Sequence, residues 1–329
     1  MFKHSLITGA AGFIGSQLVD RLLQQGQRVS GIDNFSLGRE EHLADAQRSS
    51  NFHFYKADIS VTDEATEALR VAIAGSGPVD MIWHFAASSD ISAGVADANI
   101  DFRNTLQTTF GILEAAKTCS VHRLAFASTS AIYGNLDGPL TEESGPLLPI
   151  SNYGATKLAS EALISAASET FLDQMWIFRF PNVVGPRSTH GAIHDFVGRL
   201  LDRPEELMVL GDGTQTKPYL HVSELLDALC FIVEHAQDRR NVFNVGPEGE
   251  GASVALMAEK TISRVAPGAA IRYTGGDRGW IGDVPRFRYN TSKLARLGWK
   301  PKLSSAAAVT RAIDEIALQR GIALEVLGS

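Results

Sequence analysis

The sequence predicts an α/β fold, a doubly wound parallel sheet followed by a smaller C-terminal domain. Three observations predict it. Strand-like and helix-like segments alternate through the first half, and a glycine-rich loop joins the first strand to the first helix. Beyond Arg179 the alternation gives way to shorter elements between Gly185-Pro186, Gly191, Gly211-Asp212-Gly213, Gly246-Pro247 and Gly275-Gly276. Strands separated by helical runs imply parallel pairing through crossover helices.

Taken in order, Leu6-Ile7-Thr8 reads as a strand and about Phe13 to Gln25 as a helix. Arg28–Asp33 is the second strand and His53–Asp58 the third, with a helix over Ala65–Ile73. Met81–His84 is a strand, Ile100–Lys117 one long helix, and Arg123–Ser128 a further strand. Leu220–Ala236 reads as a return of the chain to the main sheet. The expected division is therefore 1–178 with a return segment near 219–246, and a second domain of 179–218 plus 247–329.

Composition narrows the function classes. The 329 residues are 44% hydrophobic and 20% charged, as in ordinary globular enzymes. A net charge of −7 argues against nucleic acid as a partner. No stretch is long and apolar enough to span a membrane. Lys3 and His4 before an uncharged run resemble a signal peptide, but Gly9, Gly12 and Gly15 mark that run as part of the fold. Cys119 and Cys230 lie far apart without metal-ligand spacing, so reduced thiols and a cytoplasmic location are expected. His190 and His194 lie four apart with no accompanying ligand set, and no metal is expected.

The loop Thr8-Gly9-Ala10-Ala11-Gly12-Phe13-Ile14-Gly15 stands between strand and helix. Glycines there let the backbone turn tightly and approach a pyrophosphate at the positive helix N-terminus. Asp33 ends the second strand, placed to accept hydrogen bonds from ribose hydroxyls and to repel a 2′-phosphate, which favours NAD over NADP. Asp58-Ile59 ends the third strand, where a carboxylate can accept from the adenine amino group. In His84-Phe85-Ala86-Ala87 the small residues let the backbone lie against a cofactor, and His84 reads as a packed, hydrogen-bonded side chain.

Tyr153 and Lys157 are four apart and share a helix face. A free tyrosine ionises near ~10, so it needs help to act as a base at neutral pH. A lysine ammonium and a nicotinamide cation nearby would favour the phenolate. Ser128-Thr129-Ser130 follow the fifth strand, where a hydroxyl can share a hydrogen bond with a reacting oxygen.

Together TGAAGFIG at 8–15, Asp33-Asn34, Asp58, HFAA at 84–87, STSAIYG at 128–134, YGATK at 153–157, RFPNVVGPR at 179–187, GDGTQTKPYLHV at 211–222 and LGWKP at 297–301 resemble the extended short-chain dehydrogenase/reductases. The branch resembled is that of the NAD-dependent nucleotide-sugar epimerases and dehydratases. The resemblance implies a Rossmann-type first domain, a substrate-binding second domain, NAD as cofactor, a nucleotide-sugar (a UDP-sugar) as substrate, and a homodimer built from the helices near 100–117 and 153–170. It implies Thr129, Tyr153 and Lys157 as the catalytic trio. Gly9, Gly12, Phe13, Ile14, Gly15, Asp33, Asn34, Asp58, Ile59, Phe85, Ala86, Ala87 and Asn104 would join Tyr153 and Lys157 around the cofactor. Asn182 would meet diphosphate or sugar, and Lys217 and Arg278 would neutralise phosphate.

The chain also departs from the family pattern. Lys217-Pro218 replaces a common Arg-Asp, and Arg278-Gly279-Trp280-Ile281-Gly282-Asp283 replaces Arg-x-Gly-Asp. Dehydratases of the branch carry Asp-Glu after the active-site threonine, where this chain has Ser130-Ala131, and decarboxylases carry glutamate at the Ala131 position. The resemblance thus implies C4 epimerisation through a 4-keto sugar. Phe287, at a position where a bulky aromatic disfavours N-acetylated sugars, points to the UDP-glucose/UDP-galactose pair. UDP-glucuronate stays open, because Thr129, Ser130 and Arg187 offer a carboxylate its partners. Reductase, dehydratase and decarboxylase chemistry, and a non-enzymatic dinucleotide-binding protein, are the further alternatives.

Overall fold

The computed structural model describes residues 2–276 and 288–323. Five strands open the chain: β1 (His4–Thr8), β2 (Arg28–Asp33), β3 (Phe52–Lys56), β4 (Met81–His84) and β5 (Arg123–Thr129). With Gln174–Phe180 and Arg240–Asn244 they form one seven-stranded sheet. From edge to edge it runs Arg240–Asn244, Gln174–Phe180, β5, β4, β1, β2, β3, with every pair parallel. Order reverses between β1 and β4. In such sheets the ligand crevice opens beyond the carboxyl ends of the strands at that reversal.

The inner strands are buried along almost their whole length, as in sheets whose two faces are covered by helices. Leu6, Ile82, Leu124, Phe126, Met175 and Ile177 are buried in one cluster with Leu69, Ile112 and Ile164 from the helices. Phe13–Gln24 buries Gly15, Leu18, Val19 and Leu22 at helical spacing. Each of its large apolar side chains contributes about 1.5–3 kcal/mol through burial. The helix Asn152–Ser168 starts where the Ser151 hydroxyl accepts from the Gly154 amide at 3.1 Å. A Cβ on Gly154 would lie 2.6 Å from the Ala131 carbonyl oxygen, so this glycine lets the helix start press against the turn after β5.

Several expected elements differ from those observed. The single helix expected over Ile100–Lys117 is instead the end of Ala98–Asp101, a π-helical turn at Phe102–Gln107, and Thr108–Thr118, with Ile91–Ala96 a separate short helix before them. Asp90 and Asp97 each cap a short piece, accepting from the amides of Ala93 and Asn99. Such local side-chain caps compete with continuous helix and are hard to separate from it by periodicity. The third strand stops at Lys56, because Asp58 folds back onto the Ser60 amide and hydroxyl. Gln174–Phe180, absent from the expected elements, is fully apolar on its buried positions until Arg179, and Arg240–Asn244 is the segment that rejoins the sheet.

Contacts divide the chain into two units. The first comprises 1–136, 142–180 and 229–244, and the second 137–141, 181–228 and 245–329. The second unit is built from short pairings: Asn182–Val184 with Tyr219–His221, Glu206–Val209 with Ala270–Tyr273, and Thr216–Lys217 with Ala252–Ser253. Val197, Leu200, Leu207, Met257, Val309 and Ala312 form its core. Among the described residues no helix is long and apolar enough to cross a membrane.

Candidate active site

The glycine turn is dictated by close backbone approach. Gly9 has φ +71°, and a Cβ there would lie 2.7 Å from the Ala86 amide nitrogen. On Gly15 a Cβ would lie 2.0 Å from the Gly9 carbonyl oxygen. Gly12 precedes the helix with extended backbone and no side-chain cap. The first-turn amides around Phe13 and Ile14 therefore keep donors for an anion, with the positive end of the helix dipole behind them. The Gly9 contact also brings Phe85, Ala86 and Ala87, all half-buried, beside the loop, where the Ala86 amide donates to Thr8 Oγ1 at 3.3 Å.

Asp33 sits at the end of β2 with Oδ2 accepting from the Ala11 amide at 2.9 Å and Oδ1 from the Phe35 amide at 2.7 Å. It thereby ties β2 to the glycine loop, and each oxygen retains a lone pair for a hydroxyl donor. Burial pushes its carboxyl up, against the pull of those amides. Asn34 accepts from the Ser36 amide. Asp58 accepts from Ser60 and from Arg103 at 2.7 Å, which hold it below the ordinary value against burial. Ile59 is buried beside it, and its carbonyl would lie 2.1 Å from a Cβ on Gly111. Asn104 lies half-buried in the π-helical turn, its carbonyl accepting from Thr108.

The other half of the site stands at the carboxyl ends of β4 and β5. His84 is fully buried, with Nδ1 2.7 Å from Thr8 Oγ1 and Nε2 3.0 Å from Thr109 Oγ1. Burial, with the Lys157 charge nearby, takes its pKa down to about 3, so it stays neutral. Thr129 ends β5 and caps the following turn, accepting from the Ala131 amide, while Ser130 is half-buried next to it. Lys157 donates to the Ala127 carbonyl at 2.6 Å and lies 4.6 Å from the centre of the Phe126 ring. Burial lowers it to about 7, while Glu161 and Asp101 pull it up.

Tyr153 is half-buried one helical turn before Lys157. Burial pushes its phenol up to about 12, Thr129 draws it down through a hydrogen bond, and the Asp101 charge pushes it up. The protein groups alone thus hold the phenol neutral, with the Thr129 hydrogen bond as the influence that draws it down.

The structure joins three groups that the sequence reading omitted. Arg179 forms a two-pronged ion pair with Glu161, at 2.7 Å and 3.1 Å, with both side chains under 10% exposed. Ser128 donates to the same carboxylate at 2.5 Å, so its hydroxyl serves this network. Asp101 is fully buried at the start of the π-helical turn. Glu161 was findable, standing four residues beyond Lys157 on the same helix face.

Of the substrate-side candidates, Asn182, Arg187 and Lys217 belong to the second unit. Asn182 is exposed on its strand opposite Tyr219, and Lys217 is buried in the pairing with Ala252. Arg187 has φ +64°, and its amide donates to Gln319 Oε1 at 3.0 Å. Arg278 and Phe287 lie outside the described residues. Among the described residues no group of three or more metal-ligating side chains converges.

A parallel sheet with a glycine turn at its first strand-to-helix junction, an acidic residue ending its second strand, and a tyrosine–lysine pair on one helix face is the arrangement of a dinucleotide-dependent enzyme fold. A profile of the NAD dependent epimerase/dehydratase family matches residues 5–246, and the chain belongs to that family, whose cofactor is NAD. It is 32% identical over 317 residues to the UDP-glucose 4-epimerase of Mycolicibacterium smegmatis, covering 94% of this chain and 97% of that one. It superposes on the dTDP-glucose 4,6-dehydratase of Streptomyces venezuelae solved with NAD, at TM-score 0.84 and 28% identity, covering 97% and 98% of the chains. The UDP-glucuronic acid 4-epimerase of Bacillus cereus, solved with UDP-glucuronic acid and NAD, matches at TM-score 0.81 and 27% identity over 96% and 99%.

Proposed function

We propose that the protein inverts C4 of a UDP-sugar, interconverting UDP-glucose and UDP-galactose. The observation that carries this reading is the Thr129–Tyr153–Lys157 cluster followed by Ser130 and Ala131, with no carboxylate on that turn. Elimination or decarboxylation needs a further acid–base group at the sugar, and the turn beside Thr129 supplies only a hydroxyl. The likeness to a UDP-glucose 4-epimerase supports the substrate pair.

In this reading Tyr153 takes the proton of the sugar 4-hydroxyl and returns it after inversion. Thr129 shares that hydrogen bond and keeps the phenol oriented. Lys157, pinned to the Ala127 carbonyl, holds the helix face in register with β5. The glycine turn binds pyrophosphate through backbone amides, and Asp33 takes the ribose hydroxyls. Bound NAD supplies the acceptor and donor for the C4 hydride and, when oxidised, a positive charge that favours the phenolate. Asn182, Arg187, Lys217, Arg278 and Phe287 are proposed to contact the nucleotide-sugar, within a substrate-binding second unit.

The likeness to a glucuronate epimerase favours a second reading in which Ser130 meets a carboxylate. We further infer a cytoplasmic homodimer. Its support is the half-buried thiol of Cys119, which lies outside any disulfide, and two large side chains on the 102–118 stretch, Phe102 and Phe110, which are 49% and 51% exposed. A monomeric mass at micromolar concentration would defeat the dimer.

The functional test incubates the protein separately with UDP-glucose, UDP-galactose, UDP-N-acetylglucosamine and UDP-glucuronate and resolves the products. Conversion within the first pair is expected. Carbon dioxide release, or no 4-epimer from any of the four, overturns the reading, and conversion confined to glucuronate selects the second.

A further inference from the structure

Four polar side chains with no exposed surface, Thr8, His84, Thr109 and Ser160, form one hydrogen-bonded line. They come from β1, β4, the helix Thr108–Thr118 and the helix Asn152–Ser168. Thr8 and His84 face each other across the β1–β4 pairing, where the strand order reverses, and Thr8 runs directly into Gly9 of the cofactor turn. Ser160 stands three residues beyond Lys157 on the helix of Tyr153. The Ala86 amide donates to Thr8 Oγ1 at 3.3 Å, and that oxygen lies 2.7 Å from His84 Nδ1. His84 Nε2 lies 3.0 Å from Thr109 Oγ1, which can donate to Ser160 Oγ at 3.0 Å or to the Thr105 carbonyl at 2.8 Å. Ser160 donates to the carbonyl of Thr156, the residue before Lys157, at 2.8 Å.

The proton count fixes the ring. A hydroxyl has one proton to give, and a neutral imidazole has one N–H and one bare nitrogen. Thr8 already accepts from an amide, and its own proton is directed at His84 Nδ1. Ser160 gives its proton to Thr156, and Thr109 gives its own to Ser160 or Thr105, so Thr109 accepts from the ring. Nε2 is therefore the N–H nitrogen and Nδ1 the bare one. Burial, with the Lys157 charge, keeps a second proton off His84. Every donor then points from the turn towards the helix, and hydrogen bonds aligned in this way strengthen one another. The His84 ring also stacks on Phe126 with 5.6 Å between centres, and Lys157 Nζ lies 4.6 Å from the centre of that same Phe126 ring.

We propose that His84 is a positioning residue of this active site: protonated at Nε2 alone, it fastens the strand end that enters the cofactor turn to the helix that presents Tyr153 and Lys157. The bound dinucleotide and the proton-handling pair are thereby held in one register. This inference rests on Tyr153 and Lys157 being that pair in the proposed reaction.

Two measurements test it without substrate. In holoenzyme labelled with 15N-histidine, NMR shows which nitrogen of His84 carries the proton; the ring is assigned by its loss in H84Q and by its contact with Phe126. A proton on Nε2 is expected, and a proton on Nδ1 overturns the proposal. The second measurement follows exchange of bound NAD against labelled NAD in T109V and S160A, below the melting point of each. Both remove a hydroxyl at the helix end of the line, and exchange is expected to quicken about fivefold, the size of one lost hydrogen bond. Wild-type exchange in both variants overturns the proposal. With a UDP-sugar that the wild type converts, kcat should fall about tenfold in both while KM stays within about twofold, and a wild-type kcat overturns it. A wild type that converts no UDP-sugar defeats the proposed reaction instead, and the ring proton and the NAD exchange still decide this inference.

Discussion

Glu161→Gln is the sharpest perturbation of this active site, because it removes one charge from the Arg179–Glu161 pair while keeping the side chain's size. The pair is 8% and 7% exposed and doubly hydrogen-bonded, and Ser128 adds a third donor to the carboxylate. Removing one partner of a buried pair leaves the other charge uncompensated and costs about 3–5 kcal/mol. Glutamine retains one acceptor oxygen, so the lower end, about 3 kcal/mol, is expected. For a unit of roughly 150–250 residues that lowers the melting temperature by about 6–12 °C. Thermal denaturation followed by circular dichroism measures it. E161M/R179M, which removes both charges, should lose less than the sum of its single variants by at least about 1 kcal/mol. Glu161 is also the foremost charge supporting the Lys157 ammonium, so in E161Q that ammonium falls below about 7. A loss within about 0.5 kcal/mol, the range of exposed pairs, would refute the reasoning.

Two further outcomes follow from the same geometry. G15A should leave the protein with little or no bound NAD, because its Cβ would press to 2.0 Å from the Gly9 carbonyl and reshape the anion turn; acid release and absorbance of the nucleotide measure this, and a wild-type NAD content contradicts it. The Lys157 pKa lies at about 7 when folded against 10.5 when unfolded, so the unfolded chain binds the extra proton between those values. The cost of the buried ammonium is then full below about pH 7 and is relieved as pH rises towards 10.5. Relative to K157M, the wild type should therefore gain about 1.4 kcal/mol per pH unit across that window in urea titrations, and a flat difference contradicts it.

The glycine turn, Asp33 and the Tyr153–Lys157 spacing were legible in the sequence because each is a local pattern with a backbone cause. Gly9, Gly12 and Gly15 sit at a strand-to-helix junction, and Tyr153 and Lys157 are one helical turn apart. What escaped depends on distant partners. Arg179 meets Glu161 only after Gln174–Phe180 pairs with β5, and that strand was itself passed over because it abuts the loop-rich half. Asp101 carries no local pattern of its own within the expected helix; the π-helical turn and the close approach of Gly94 go with its burial. The expected continuous helix over 100–117 failed for the same reason, since a one-residue widening shifts every later side chain around the axis. Asp58 falls two residues beyond the end of β3, and its carboxylate is engaged by Ser60 and Arg103.

The central claim is that Tyr153 carries a proton in a redox-neutral inversion at C4, and isotope retention tests it most directly. UDP-glucose deuterated at C4 is incubated with the protein in ordinary water, and the product is read by NMR and mass spectrometry. The account predicts UDP-galactose that keeps its deuterium at C4, no net NADH, and a rate lowered by about a hundredfold or more in Y153F. UDP-galactose that has lost the C4 deuterium to solvent, or turnover that Y153F leaves intact, would contradict it.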